Sequence, residues 1–242
     1  MRGAGPAASL VLLYHRIGSP LVRSRVRGQY VLPRFFRWQL RTLMGSGYSP
    51  AGLAQVLADA ELGAGHFSIT FDDGYASVGR LALPVLAKRQ VPATVFVVAG
   101  AVGNTSAWDE AMGDRVEPMM DAVMVREMAA AGMEVGSHGM SHARLTDLPD
   151  AALQAEVCDS KRLLEDMLGK AVGGFAYPYG AWDGRVREAV IDAGYEYAVS
   201  TRLAAIGPAM DRFAIPRINV RWNTVGWILL RKIRRAYGAG EG

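Results

Sequence analysis

Two adjacent carboxylates, Asp72 and Asp73, end a short apolar run and are followed at once by Gly74. At a strand end the chain is turning, so both side chains can be aimed into one site from slightly different angles. Like charges this close resist joint ionisation unless a cation lies nearby. The pair therefore suggests a metal ion as the partner of one aspartate and a proton as the partner of the other.

A histidine pair, His138 and His142, follows about 65 residues later. Two histidines four positions apart fall on one side of a helical turn or tight loop. Together with one aspartate they form a ligand set suited to a catalytic zinc ion with open coordination positions. Taken singly, each motif also fits a structural interpretation, with loop histidines and aspartates that cap a turn.

Both motifs carry a family resemblance, since residues 70–74 read T-F-D-D-G and residues 138–142 read H-G-M-S-H. They resemble the first two motifs of the polysaccharide deacetylases (NodB-homology, carbohydrate esterase family 4), T-F-D-D-G and H-[S/T]-x-x-H, with Gly139 at the Ser/Thr position. Residues 175–180, F-A-Y-P-Y-G, are similar to the family's R-x-P-Y-G segment without its arginine. The resemblance covers about residues 10–220, and the motif arrangement is closest to the poly-N-acetylglucosamine deacetylase branch.

The resemblance implies a role for each residue at a motif position. Asp73, His138 and His142 would bind a divalent metal, for which Zn²⁺ is the first choice and Co²⁺, Ni²⁺ or Fe²⁺ also suit the donors. Asp72 would be the general base that takes a proton from water, unless it merely caps the next helix. The backbone N–H of Tyr179 would help to hold the developing oxyanion.

The late histidine and the motif arginine of the family have no counterparts at the usual positions, so we expect substitutes. His15 ends the first predicted strand, whereas His66 precedes the second strand and should lie at the opposite end of the barrel. We therefore expect His15 to be the general acid, the alternative being a histidine bonded to backbone. Arg217 ends the last predicted strand and could bind Asp72 through two parallel hydrogen bonds, the alternative being a surface arginine.

The longest loop, residues 100–118, contains Trp108 and Asp109. An aromatic face suits the apolar side of a pyranose ring, so both residues are candidates for lining a sugar site. A buried loop anchor is the alternative role for Trp108.

Strand-like and helix-like stretches alternate along the whole chain, which favours a parallel α/β barrel. The resemblance implies an irregular (β/α)7 barrel. The predicted strands are 9–14, 67–71, 93–98, 133–136, 174–177, 195–200 and 213–217, and the predicted helices are 33–44, 50–60, 76–89, 121–131, 148–168, 183–193 and 222–237. The polar candidates follow strand ends, and catalytic groups of parallel barrels collect at the carboxyl ends of strands, so they should share one rim.

Length and composition predict one domain over residues 1–242, which the resemblance implies is catalytic, with a core at about 9–220 and a basic amphipathic helix and tail at 221–242. The 242 residues are half hydrophobic and carry a net charge of +4, and no basic block precedes the C-terminus, which argues against a nucleic-acid partner. The single cysteine permits no intrachain disulfide. The apolar run at residues 10–14 is too short for a signal peptide or membrane span, which predicts a cytoplasmic location or the cytoplasmic membrane surface.

Residues 221–237 combine arginines and a lysine with tryptophans and aliphatic residues. The pattern fits a helix that contacts anionic lipid, and it also fits the final barrel helix with a solvated basic face, which is the more common case.

The function predicted from these motifs is a metal-dependent hydrolase that removes the N-acetyl group from a sugar of the N-acetylglucosamine type. Its substrate would be a glycan, glycolipid or glycoside. The alternatives are an O-acetyl esterase, a catalytically inactive glycan-binding or membrane-surface module of the same fold, and a serine hydrolase that uses Ser141.

Overall fold

The computed structural model describes residues 8–20, 23–58, 64–111, 113–207 and 210–239. Its strands are β1 (Leu10–Tyr14), β2 (Arg16–Ile17), β3 (Tyr30–Val31), β4 (Ser49–Pro50), β5 (His66–Phe71), β6 (Ala93–Val97), β7 (Glu134–Ser137), β8 (Gly174–Ala176), β9 (Tyr197–Val199) and β10 (Ile218–Asn219). Its α-helices are α1 (Pro33–Gly45), α2 (Leu53–Ala58), α3 (Leu83–Arg89), α4 (Ala107–Ala111), α5 (Ala122–Ala130), α6 (Asp150–Leu168), α7 (Gly184–Asp192) and α8 (Trp227–Gly238).

A curled parallel sheet with the strand order β10-β1-β5-β6-β7-β8-β9 forms the centre of the molecule, and β4 adds to β5. Leu12 of β1 is in register with Ile218 of β10. Val199 of β9 forms a parallel bridge with Ile215, just before β10. Residues 215–219 thus connect both edges of the sheet, and the fold is the predicted irregular (β/α)7 barrel.

The apolar strands are buried on both faces, as expected of a parallel sheet covered by helices. Side chains of β1 alternate between two clusters: Leu10 and Leu12 belong to the larger core with α1, whereas Val11 packs with Phe96 and Val199 in a smaller cluster. The smaller cluster fills the inside of the barrel because its members come from alternate positions of several strands. Six apolar strand runs in the sequence thus became the core strands β1, β5, β6, β7, β8 and β9.

Three boundaries differ from the prediction for local chemical reasons. The seventh strand was predicted at 213–217 but lies at Ile218–Asn219, because Pro216 has no N–H for the ladder. The predicted helix 76–89 contains a π-helical stretch, Val78–Ala82, before α3, where Pro84 removes a backbone donor. The predicted helix 222–237 begins at Trp227 after Gly226, which has a positive φ of 49°.

Two smaller differences concern loops. The loop 100–118 contains the short helix α4, which the sequence pattern did not predict. The helix predicted at 50–60 begins at Leu53 after the short strand β4, and its last two residues lie outside the described part of the chain. Two predicted helix ends are confirmed: Asp121 caps α5 and accepts a hydrogen bond from the Met124 N–H at 2.8 Å, and Gly169 ends α6 with a φ of 64°.

The C-terminal helix α8 packs on the barrel through Leu229, Ile233 and Ala236, all of which are buried. The described residues include no helix that is both long and apolar enough to cross a membrane.

Candidate active site

One pocket at the carboxyl ends of the strands gathers almost all residues singled out from the sequence. Among its lining residues are His15, Asp72, Asp73, Trp108, Asp109, His138, His142 and Tyr179. Arg217 is fully buried directly behind the pocket wall, against Asp72. The shared rim expected from the strand ends is therefore what the structure shows.

Asp73, His138 and His142 form a compact cluster of buried ligand atoms. Oδ1 of Asp73 lies 3.2 Å from Nε2 of His138 and 3.4 Å from Nε2 of His142, and the three ligand atoms lie within 4.8 Å of one another. Burial raises the pKa of Asp73, but hydrogen bonds from the two imidazoles outweigh it and hold that pKa well below its usual range. This anionic oxygen and two ring nitrogens fit a divalent cation.

The surroundings of His138 orient it as a metal ligand. Its Nδ1 lies 2.7 Å from the carbonyl oxygen of Ala176, and a carbonyl can only accept, so Nδ1 carries a proton and Nε2, which faces Asp73, is the nitrogen that would bind a metal once it is deprotonated. Burial lowers the pKa of His138, but its hydrogen bond to Asp73 and the charges of Asp72 and Asp73 raise it overall. The negative field that favours a proton here would also favour a metal cation.

The His142 ring is positioned by aromatic packing. Its centroid lies 4.5 Å from the ring of Trp108 and 4.6 Å from that of Tyr179, while its buried Nδ1 has no hydrogen-bond partner among the described residues. The ring of Trp108, which we expected to line a sugar site, thus packs against His142, a candidate metal ligand.

Three residues of the pocket have an unusual backbone conformation. Asp73, His142 and Tyr179 have φ values of 73°, 62° and 60°, and the fourth described non-glycine residue with a positive φ is Gln90 at the end of α3. The left-handed region costs a residue with a Cβ about 1–2 kcal/mol. The surrounding structure must therefore hold these side chains where the site needs them.

Arg217 binds Asp72 in the two-pronged geometry expected from the sequence. Nη1 donates to Oδ1 and Nη2 to Oδ2, both at 2.7 Å. Nε also donates to the Ser200 carbonyl at 2.9 Å, and Nη1 to the Thr70 hydroxyl at 3.1 Å. The alternative of a surface arginine is wrong, because Arg217 is fully buried.

The ion pair determines the charge state of Asp72. Burial raises the pKa of its carboxyl, but the Arg217 charge and hydrogen bonds, together with the nearby histidines, lower it below the usual value. Asp72 is therefore an ionised, oriented carboxylate beside the candidate metal ligands, and not a cap of the following turn.

His15 lies on the same pocket wall with a buried Nδ1 that has no hydrogen-bond partner among the described residues. Burial lowers the pKa of the imidazole, while the charges of Asp73 and Asp72 act in the opposite direction. His66 begins β5 and so lies at the opposite end of that strand from Asp72, as expected. His15 is the one histidine besides the two candidate ligands that reaches the site.

Comparison with known proteins identifies the family. A profile of the family described as polysaccharide deacetylase matches residues 59–198, more than half of the chain. The protein belongs to the polysaccharide deacetylases.

Relatives and solved structures agree with this membership. YxkH of Bacillus subtilis strain 168, provisionally named a polysaccharide deacetylase, is 27% identical over 219 residues, 89% of this chain and 72% of its own. The poly-β-1,6-N-acetyl-D-glucosamine N-deacetylase of Staphylococcus aureus strain MRSA252 is 27% identical over 159 residues, 62% of this chain. The match spans 52% of that relative's length. IcaB from Ammonifex degensii superimposes with a TM-score of 0.77 at 26% identity, over 91% of this chain and 94% of its own. The Streptococcus pyogenes deacetylase PplD in complex with acetate shares the fold, with a TM-score of 0.79 at 23% identity over 94% and 99%.

This family member has a second buried ion pair in the pocket that sequence patterns did not reveal. Asp109 of α4 accepts hydrogen bonds from Arg16 and, at 3.2 Å, from the Tyr75 hydroxyl. The Arg16 guanidinium lies between the rings of Tyr75 and Tyr30, at 4.2 and 5.0 Å from their centroids. Oδ1 of Asp109 has no partner among the described residues. One oxygen of this carboxylate is thus engaged by protein, and the other is buried at the pocket wall without a partner among the described residues.

Glu156 of α6 holds the loop between the two candidate histidine ligands. Its Oε2 accepts from the backbone N–H groups of Met140 at 2.8 Å and Ser141 at 3.0 Å, and its Oε1 accepts from the Ser141 hydroxyl. A Cβ on Gly139 would lie 3.1 Å from Oε2, so glycine at the family's Ser/Thr position leaves room for this carboxylate. A serine nucleophile needs a base, and the Ser141 hydroxyl contacts Glu156 instead of a histidine.

Tyr179 follows β8 and lies at the pocket mouth, with its side chain 46% exposed. The Arg144 guanidinium lies 5.0 Å from the centre of its ring.

Proposed function

We propose that this protein is a metal-dependent N-deacetylase that removes the acetyl group from an N-acetylglucosamine-type glycan or glycoconjugate. The observation that carries the proposal is Asp72, held ionised by Arg217 and placed beside the Asp73, His138 and His142 cluster in one pocket. The name of the Staphylococcus aureus relative supports the substrate class.

A divalent ion held by Asp73, His138 and His142 would polarise the acetamide carbonyl and make a nearby water molecule more acidic. Asp72 accepts the proton of that water as it attacks the carbonyl carbon. Arg217 fixes the orientation of the Asp72 carboxylate and keeps its pKa low. Zn²⁺ is the metal that we propose first, because one carboxylate and two imidazoles suit it.

The second half of the reaction is collapse of the tetrahedral adduct and release of the amine. His15 is the proposed proton donor to the leaving nitrogen, since it lines the same pocket as Asp72 and Asp73. Burial lowers its pKa overall, and the charges of the two carboxylates offset part of that shift. The backbone N–H of Tyr179 is the proposed donor to the oxyanion. Acetate and a free amino sugar are the products.

The experiment is to measure acetate release from β-1,4- and β-1,6-linked N-acetylglucosamine oligomers by purified protein, before and after removal of metal with a chelator. We expect release to stop after chelation and to return when Zn²⁺ or Co²⁺ is added. The matched control is Asp72→Asn, which should bind metal without releasing acetate. Undiminished activity after exhaustive chelation, or no acetate from any oligomer with metal-loaded protein, would contradict the proposal. Faster release from an O-acetylated sugar would assign the protein as an esterase.

A further inference from the structure

The charges of the chain are divided unevenly between two parts of the sequence. Residues 1–58 and 212–240 contain 15 of the 27 Lys and Arg residues and none of the 23 Asp and Glu residues. All the acidic residues therefore belong to residues 59–211 and 241–242, which carry the remaining basic residues. The net charge of +4 is small, but the positive and negative charges are distributed very unevenly along the chain.

The fold brings the two acid-free stretches together. Their strands β1 and β10 are neighbours in the sheet. The side-chain amide of Gln39 in α1 donates to the Thr224 carbonyl at 2.6 Å, and the Trp222 N–H donates to the Gly28 carbonyl at 3.3 Å. One side of the barrel is consequently built from α1, α8 and the turn at residues 23–29.

Exposed arginines cover this side, which we call the basic face and define by Arg34, Arg37 and Arg41 of α1 and Arg231, Arg234 and Arg235 of α8. All six are exposed, and none takes part in an ion pair within the described part of the chain. Exposed arginines without an ion-pair partner create a positive potential that attracts an anionic surface. Two carboxylates reach this side at the turn: Asp114 accepts from Ser24 and Val26, and Glu117 accepts from the Tyr30 hydroxyl.

Two tryptophans extend the basic face at the rim of the barrel. Trp227 is 66% exposed and Trp222 is 48% exposed, although indole is a side chain that proteins usually bury in large part. The Arg231 guanidinium lies 4.9 Å from the ring centre of Trp227, and that of Arg27 lies 5.7 Å from Trp222. An indole beside a guanidinium matches the head-group region of a bilayer, where one side of the ring meets apolar chains and the other meets phosphate.

The tryptophans lie at the same end of the barrel as the pocket. Trp222 follows β10, and its N–H is bonded to Gly28 in the turn whose neighbours Val26 and Gln29 line the pocket. A surface that contacts both tryptophans would therefore lie beside the pocket mouth.

We propose that the basic face and the tryptophan pair bind the surface of an anionic lipid bilayer, with the indoles at head-group depth and the pocket at the edge of the contact. Arginines alone would bind any polyanion. The two exposed indoles add an apolar contribution to binding, which favours lipid over nucleic acid or an acidic polysaccharide. Peripheral attachment of this kind needs no spanning segment.

The test uses the full chain and flotation with vesicles of phosphatidylcholine, with or without about 30 mol% phosphatidylglycerol. We expect binding to the anionic vesicles, with a blue shift of tryptophan fluorescence, and release when salt is raised to about 0.5 M. Binding is measured without catalysis, so this result does not depend on the proposed function.

Two matched pairs of variants locate the contact. Arg231→Glu with Arg234→Glu should weaken binding at least about 10-fold, because both substitutions replace a positive charge by a negative one at the proposed contact. Arg126→Glu with Lys170→Glu makes the same charge change outside the acid-free stretches and should leave binding nearly unchanged. Trp222→Ser with Trp227→Ser should abolish most of the fluorescence shift on binding, whereas Trp182→Ser should retain it.

Three results would overturn the proposal. These are no binding to anionic vesicles at low salt, equal losses in the two charge-reversal variants, and tighter binding to a DNA duplex or heparin than to vesicles. Circular dichroism of each variant excludes loss of the fold as the cause of a loss of binding.

Discussion

The pocket contains two buried arginine–aspartate pairs that differ in how completely they are satisfied. In the Arg217–Asp72 pair both carboxylate oxygens accept from the guanidinium, and the remaining donors of Arg217 reach Ser200 and Thr70. In the Arg16–Asp109 pair one terminal nitrogen serves both Asp109 and Tyr75, while Nε and Nη1 of Arg16 and Oδ1 of Asp109 have no partner among the described residues.

The difference assigns the two pairs to different tasks. A carboxylate fixed by two parallel hydrogen bonds is pre-organised, which suits a group that must accept a proton along one direction. A carboxylate with one unsatisfied oxygen at a pocket wall has a strong reason to bind a ligand hydroxyl or a water molecule, since leaving it buried and unpaired is unfavourable. We therefore expect the first pair to govern kcat and the second to govern KM.

The largest effect should follow the removal of the Asp72 charge. Asp72→Asn keeps the shape of the side chain but cannot accept the proton, so kcat should fall by about 10³-fold, within the range of general-base catalysis. Steady-state acetate release is the measurement, and metal content by atomic absorption is the control. Retention of more than a tenth of the activity would mean that another group is the base.

Removal of Arg217 should have the next largest effect. Arg217→Gln leaves Asp72 buried without its cation, and burial then raises the pKa of Asp72, so a larger fraction of the carboxyl is protonated at a given pH. We expect kcat to fall by about 10²-fold at neutral pH and the acid limb of the pH–rate profile to move to higher pH. If the acid limb does not move, Arg217 does not control the ionisation of Asp72.

Stability should respond to the same substitution. Because the folded-state pKa of Asp72 is lowered, its ionisation stabilises the wild type above its unfolded pKa of about 4, and this contribution disappears as pH falls through the folded value. In Arg217→Gln the buried carboxylate is unpaired, and the free energy of unfolding should fall by about 3–5 kcal/mol at neutral pH. Urea titration at neutral and acidic pH measures both differences.

A third carboxylate, that of Glu156, binds backbone N–H groups, whereas Asp72 and Asp109 each bind an arginine. Glu156→Gln keeps an acceptor but loses the charge that binds two N–H groups and the Ser141 hydroxyl, so the loop between His138 and His142 should loosen. We expect Zn²⁺ affinity to fall by about 10-fold, as for other groups that orient ligands. Chelator competition measures the affinity, and Asp166→Asn on the same helix is the control. An unchanged Zn²⁺ affinity would show that Glu156 does not help to orient His138 and His142.

The smallest effect should come from the incompletely satisfied pair. Asp109→Asn should raise KM for an N-acetylglucosamine oligomer by about fivefold through loss of one hydrogen bond, with little change in kcat. A large fall in kcat with constant KM would reverse the assignment of the two pairs.

The residues that lie next to strand ends could be predicted from the sequence, and those that act through tertiary contacts could not. Asp72, Asp73, His138 and His142 belong to local motifs, and Arg217 was found because strand ends of a parallel barrel share one rim. Arg16 follows His15 directly, yet nothing local indicates that its guanidinium lies between two tyrosines from other segments. Glu156 reaches the ligand loop from the middle of α6, where the sequence pattern indicates an ordinary helix position.

Local backbone chemistry explains what was missed in the fold. Six of the seven barrel strands are apolar runs and were predicted within a few residues. The seventh was misplaced because Pro216 interrupts an apolar run, and the barrel closes through Ile215 before the proline and Ile218–Asn219 after it. The helix α4 is only five residues long, which is too short for a periodic pattern to appear.

The left-handed backbone of Asp73, His142 and Tyr179 bears on the history of the chain. At each position glycine would relieve about 1–2 kcal/mol, so a sequence drifting without function would gain stability by a single replacement at any of them. Natural proteins lie near the threshold of adequate stability, where such gains are readily kept. An aspartate, a histidine and a tyrosine nevertheless occupy these positions together, which is what we expect if each side chain contributes to the candidate site.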